Sequence, residues 1–272
     1  MSDTITRTID AIADRSNSVT NECDYRNSEG ILICGMCNQP KETRKKFPLG
    51  SGTYKYFPIK CLCDEQAEEE EAIRQKRDEI KRFIEDGIPD IRYRGYNFEQ
   101  DDNRNPKASE LCRKYIKHWS DMKESHYGIL FYGDTGGGKS FYACCIANAL
   151  VQSGFRVLVI RLSDLVKNRN NKLIQDIDLT RYELIVLDDV GVENATQTAY
   201  NIIDDIYKNN IPLLVTTNLS PSELKVPDTL DKQRIYDRIL QMCCITQKID
   251  VSISRLEIAK ERSRKALNIL NQ

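Results

Sequence analysis

The chain has 272 residues, 40 Lys+Arg against 41 Asp+Glu, and a formal net charge of -1. That length holds one large domain or one domain plus a small module, and the charge balance excludes a global pull towards nucleic acid or membrane. No apolar run approaches the ~18 residues of a membrane span, and the polar amino terminus, with Asp3, Asp10 and Asp14, is unlike a signal peptide.

The chain therefore reads as cytoplasmic, with no membrane partner. Ten cysteines in a reducing compartment are thiols or metal ligands rather than disulfides. Cys23, Cys112, Cys144, Cys145, Cys243 and Cys244 lack ligand spacing and read as small core or surface residues. Ile5, Ile9 and Ile12 fall at helical spacing, so the chain opens on a short amphipathic docking helix or on a frayed tail. Asn17 to Asn27 has a loop composition.

Cys34-x-x-Cys37 is followed downstream by Cys61-x-Cys63. Two such pairs can each grip one side of a tetrahedral Zn²⁺. Pro40, Pro48, Gly50, Gly52 and Pro58 between them leave too little apolar content to fold unaided, and a four-thiolate site would supply the missing folding energy. Four thiolates leave no open position for water, which argues against a catalytic zinc. Four reduced thiols in a small β-rich segment, or an iron–sulfur cluster, are the alternatives. Lys41, Arg44, Lys45 and Lys46 form a basic knot that either touches phosphates or is a solvated loop. Residues 1–64 are thus an amino-terminal module.

Glu65 to Glu85 places acids early and bases late, as a helix dipole prefers, and reads as an exposed helix ending near Gly87. Pro89 closes this linker, residues 65–89. In residues 90–272, Tyr93, Tyr96 and Phe98 pack on a core or on a nucleotide base. Ser109 to Ser120 reads as a helix, and His118 and His126 read as non-functional.

Gly128 to Tyr132 is a short apolar run, consistent with a buried strand. Gly133-Asp134-Thr135-Gly136-Gly137-Gly138-Lys139-Ser140 then reads G-x-x-x-x-G-K-[ST], the phosphate-binding loop signature. Bare glycine backbone lets a ring of N–H groups approach the phosphates of ATP. Lys139 would reach the β- and γ-phosphates, and the Ser140 hydroxyl would bind Mg²⁺. Phe141 to Val151 is a helix whose N-terminal dipole faces the anion.

Phe155 to Ile160 is a buried strand, Ser163 opens a helix, and Lys167 to Lys172 is a surface stretch or a path for a single strand of nucleic acid. Glu183 to Asp189 is an apolar strand ending in two acids, at the strand end where open α/β sheets place ligands. Asp188 is assigned to Mg²⁺ and Asp189 to polarising the attacking water. Thr196 to Lys208 is a helix with Ile202, Ile203, Ile206 and Tyr207 inward, and Ile211 to Thr217 is the next buried strand. Asn218, at its end, orients the water or simply terminates the strand. Arg234 and Arg238 share a helix face, where an arginine could reach a neighbouring subunit's γ-phosphate. Ile249 to Ser252 is a last strand, and a basic helix runs from Arg255 to Leu270.

Alternating strands and helices give an α/β fold, a parallel sheet with helices on both faces. Residues 128–150, Leu184 to Gly191, Thr216-Thr-Asn-Leu219, Arg234-Ile-Tyr-Asp-Arg-Ile239 and the upstream Tyr93-Arg-Gly-Tyr-Asn-Phe98 resemble the replicative helicase loaders of the DnaC/DnaI group of AAA+ ATPases. The cysteine module is similar to the DnaI branch, and the short chain looks like a phage or mobile-element version. The resemblance covers residues 90 to 265 or so. It implies that Asn218 is sensor 1, Arg238 an arginine finger and Arg255 a sensor 2 arginine. It also implies a hexameric replicative helicase bound by the amino-terminal module, single-stranded DNA as a partner, and a homo-oligomeric ATP-hydrolysing core. Asp134 departs from the family's usual Pro or small residue, and the short stretch after Asn218 implies a reduced lid. An IstB-type transposition-assisting ATPase shares this core. A non-hydrolysing adaptor that uses ATP as a switch is a third reading, against which Asp188 and Asp189 argue.

Overall fold

The computed structural model describes residues 21–46, 54–170, 177–191, 197–250, 263–264 and 266–267. The expected helix around Ile5 to Ile12, Arg255, and most of the helix running to Leu270 lie outside the described residues. The chain divides into two compact units, Met1–Arg77 and Asp78–Gln272. The cut falls inside helix α1 (Leu62–Gly87), which is rich in Glu, Lys and Arg and has Asp64 and Glu65 in its first turn.

In the first unit β1 (Tyr25–Arg26) pairs antiparallel with β2 (Leu32–Ile33), and β3 (Glu42–Lys46) with β4 (Tyr54–Pro58). The basic knot expected here splits in two. Lys41 is buried, with its amine 3.1 Å from Asp24 and 3.6 Å from Asp64, so it is a tied internal cation. Removing one partner of such a buried pair costs about 3–5 kcal/mol. Arg44, Lys45 and Lys46 are exposed on β3, and the Arg44 guanidinium lies 4.3 Å from the Tyr54 ring centre.

The second unit carries α2 (Ile91–Arg94), α3 (Pro106–Lys117), α4 (Trp119–Glu124), β5 (Ile129–Tyr132), α5 (Lys139–Gln152), β6 (Val157–Arg161), α6 (Leu162–Asn170), β7 (Leu184–Val190), α7 (Gln197–Lys208), β8 (Leu213–Thr217), α8 (Pro221–Leu224), α9 (Leu230–Met242) and β9 (Ile245–Lys248). The strands form one parallel sheet in the order β6-β7-β8-β5-β9. Side chains alternate across it. Leu130, Leu158, Ile185 and Leu213 pack with Ile202, Ile206 and Ile239 on one face. Ile129, Phe131, Val159, Val186 and Leu214 pack with Ile146 and Leu150 on the other. Strands buried on both faces explain the unbroken apolar runs. Each fully buried Leu or Ile contributes about 1.5–3 kcal/mol.

Three expectations are corrected. Among the described residues the last strand is Ile245–Lys248, with Ile249 and Asp250 beyond its end and 251–252 outside the described residues; as an edge strand with β5 as its neighbour it has a half-exposed, polar pattern that hid it. Ile249 follows it, buried, with its amide donating to the Tyr132 carbonyl at 2.8 Å. The single helix expected over Ser109 to Ser120 is two, because His118 ends α3 and precedes α4. Tyr207 faces outward rather than into the core, with its ring under the Arg238 guanidinium at 4.1 Å.

Candidate functional site

The strand order sets the site. β8 lies between β5 and β7, so the loop after β5, Asn218 after β8 and the acids of β7 meet at one edge. Residues 133–138 connect β5 to α5. Gly133 has φ 128° and an added Cβ would lie 2.4 Å from the Ile249 carbonyl oxygen, so a side chain is excluded there. Gly138, at φ 100°, is the N-cap of α5. The loop is buttressed from behind by Asn105, whose amide donates to the carbonyls of Gly137 (3.4 Å) and Asp250 (3.2 Å).

Lys139 is buried, and its ammonium donates to the carbonyls of Gly133 and Asp134 and to Asn218 Oδ1, each at 2.8 Å. It thus ties the loop to the end of β8. Asp134 turns its carbonyl inward while the residue itself is exposed, so its carboxylate is in solvent and not in the glycine cradle.

The acids sit on a β-bulge. Leu187 pairs with Val215 and Val190 with Thr217, leaving Asp188 and Asp189 opposite Thr216 alone. Asp189 pays for this with φ 59°, the left-handed region. Neighbouring residues on a regular strand point to opposite faces, whereas here both acids line one cavity. Asp188 is buried and held at both oxygens: the Thr216 hydroxyl donates to Oδ1 and the Tyr93 hydroxyl to Oδ2, each at 2.6 Å. The Thr216 hydroxyl also accepts the Asp189 amide at 2.9 Å. Burial, and then the bond to Asp188, push the Tyr93 phenol well above its ordinary value, so it stays a protonated donor. Arg161 stands beside the same hydroxyl.

The resulting cleft, about 430 Å³, is lined by Thr135, Gly136, Gly138, Lys139, Ser140, Asp188, Asp189 and Asn218. Tyr93, Tyr96, Phe141, Arg161 and Thr216 complete it. The sequence-expected loop, acids and Asn218 are therefore brought together. Tyr93 was expected only to pack, and Arg161 and Thr216 were not anticipated. Arg161 carried a usable signal, since it closes an apolar strand as Asp188 does. The residues present suit a nucleotide with Mg²⁺: bare loop backbone, a buried ammonium, a hydroxyl at Ser140 and a fixed carboxylate at Asp188.

Arg234 and Arg238 stand apart from this cleft's lining, and Arg255 lies outside the described residues. Arg238 stacks on Tyr207, lies 3.6 Å from Asp204 and donates to Gln241 at 3.3 Å, while Arg234 is exposed on the same helix.

In the first unit the Sγ atoms of Cys34, Cys37, Cys61 and Cys63 lie within 4.8 Å of one another. The Gln39 backbone amide, and the neighbouring thiols, hold Cys37 down to about 6, whereas burial pushes Cys61 up to about 12 and the bond to Cys37 lifts Cys63 to about 11. Four converging sulfurs suit a soft tetrahedral metal.

Fold and cleft together have the form of a phosphate-loop nucleotide site at the end of a five-stranded parallel sheet. The chain belongs to the family of IstB-like ATP binding proteins, which matches residues 59–261. The replicative helicase loader DnaI of Bacillus subtilis is 24% identical over 172 residues, covering 54% of this chain and 55% of DnaI. An insertion sequence ATP-binding protein of Sinorhizobium fredii is 30% identical over 148 residues, covering 50% of this chain and 49% of its own. This chain thus spans about half the length of the curated relatives it matches. A crystal structure of DnaI superposes with a TM-score of 0.50 at 17% identity, covering 60% of this chain and 92% of that one, and shows a shared fold.

Proposed function

We propose that this chain is an ATP-hydrolysing loader of a replicative DNA helicase. The observation that carries the hydrolytic part is the bulge that turns Asp188 and Asp189 into the cleft holding Lys139 and Asn218. Residues 133–140 bind the triphosphate, with α5's N-terminal amides facing it. Ser140 and Asp188 would hold Mg²⁺, which neutralises charge developing on the phosphate oxygens. Asp189 accepts a proton from the attacking water, and the Asn218 amide orients that water. Arg238 would complete the site as an arginine finger in a homo-oligomer, and Arg255 would contribute as a sensor 2 arginine.

Similarity to DnaI supports the loader reading, in which the amino-terminal module, held by zinc on Cys34, Cys37, Cys61 and Cys63, binds a hexameric helicase. The core would then engage single-stranded DNA. Similarity to the insertion sequence protein supports a second reading, a transposition-assisting ATPase. Affinity capture from host extract separates them: a helicase is expected with the loader and a transposase with its alternative. Phosphate release from ATP, with and without single-stranded DNA, tests hydrolysis. Turnover that Asp189→Asn abolishes is expected; no turnover under any condition leaves the non-hydrolysing adaptor.

A further inference from the structure

We propose that Tyr93 is a positioning residue for the metal carboxylate, holding Asp188 aimed into the nucleotide cleft from a segment that precedes the first strand of the sheet. This rests on the nucleotide-site reading above and deepens it.

The sequence separates the two residues widely, yet the Tyr93 hydroxyl donates to Asp188 Oδ2 at 2.6 Å and both side chains are buried. A bond of that length to a carboxylate is the strong, charge-assisted kind. The Thr216 hydroxyl donates to the other oxygen, so the carboxylate cannot rotate without breaking a bond. Each oxygen retains a further lone pair for a metal or its water.

The segment is itself pinned. Asn148, buried on α5, donates its amide to the carbonyls of both Tyr93 and Tyr96 at 2.8 Å. α5 is the helix that begins at Lys139. The helix that starts at the phosphate loop therefore fixes the tyrosine that fixes the acid. Asp90 caps the short helix carrying Tyr93, accepting the Arg92 amide at 3.0 Å. None of these contacts serves a hydrophobic purpose. A tyrosine needed only for packing would not commit its hydroxyl to a carboxylate that lines the same cleft as the loop's Ser140.

The test uses the full chain and a fluorescent ATP analogue, read with EDTA and then across a Mg²⁺ titration. Tyr93→Phe keeps the ring and deletes the donor. It should bind the analogue in EDTA as the wild type does, and need about tenfold more Mg²⁺ for half-maximal enhancement, the usual loss when a ligand's orienting partner is removed. Tyr115→Phe is the control: it deletes the hydroxyl of another buried tyrosine, bonded to the Tyr127 carbonyl at 2.7 Å, and should lower thermal stability while leaving the Mg²⁺ midpoint unchanged. Asn148→Ala should shift the Mg²⁺ midpoint in the same direction as Tyr93→Phe. An unchanged Mg²⁺ midpoint in a folded, analogue-binding Tyr93→Phe overturns the proposal alone. Failure of the wild type to bind the analogue overturns the nucleotide-site reading and the proposal with it.

Discussion

The Lys139 ammonium donates to Asn218 Oδ1 across 2.8 Å, joining the phosphate loop to the end of the adjacent strand. A triphosphate would compete for this cation with the Gly133 and Asp134 carbonyls and with Asn218. Lys139→Ala should abolish ATP-analogue binding. Asn218→Ala should leave binding within a few-fold and cut turnover about 10²-fold, the scale for losing one oriented donor at a developing charge. Equal losses of affinity in both variants would contradict this division.

The bulge separates the two acids in character. Asp189 occupies the left-handed region, which costs a non-glycine residue about 1–2 kcal/mol. Asp189→Gly should therefore raise the melting temperature while abolishing phosphate release. Asp188→Asn should instead lose the Mg²⁺ enhancement of binding, because its amide cannot accept both hydroxyls and a metal. Differential scanning fluorimetry with a phosphate-release assay reads both.

The cysteine cluster predicts a metal that belongs to one unit. Elemental analysis should find one zinc per chain, lost in Cys34→Ser and in Cys61→Ser. A strong chelator should melt the amino-terminal unit while ATP-analogue binding persists, since a structural zinc there would supply that unit's folding energy. Loss of both together would show that the units do not fold separately.

Asp90 gives a pH signature. The Arg92 guanidinium, with the Arg92 amide, holds its carboxyl down to about 2. A depressed carboxyl stabilises above its unfolded value near 4 and loses that contribution as pH falls towards 2. Asp90→Ala should cost about 0.5–1 kcal/mol at pH 7, a cap's ordinary worth with a largely exposed Arg partner. The difference from wild type should vanish between about pH 4 and pH 2 in denaturant titrations.

Much of this architecture was legible in the sequence, for a physical reason. Short apolar runs such as Leu184–Leu187, set between turn residues, fit strands buried on both faces, and the glycine loop admits few backbone paths. The acids' strand-end position was legible too, but not the bulge, because a register shift leaves no composition signal. Ile245–Lys248 was missed because an edge strand tolerates Thr, Gln and Lys. Tyr207 was read inward from helical spacing, and Arg238 on α9 instead gives its ring an outside partner. The Tyr93–Asp188 bond links positions remote in the chain, which no local pattern encodes.

Arg238 supplies the most direct measurement of the central claim, an ATPase whose site is completed between subunits. In one chain it is stacked on Tyr207 and beside Asp204, apart from the cleft's lining. Lys139→Ala and Arg238→Ala should each be inactive alone, and mixing them should restore a fraction of ATP turnover, because some interfaces then pair an intact loop with an intact arginine. No recovery on mixing, with both variants folded and co-assembling, would contradict the account.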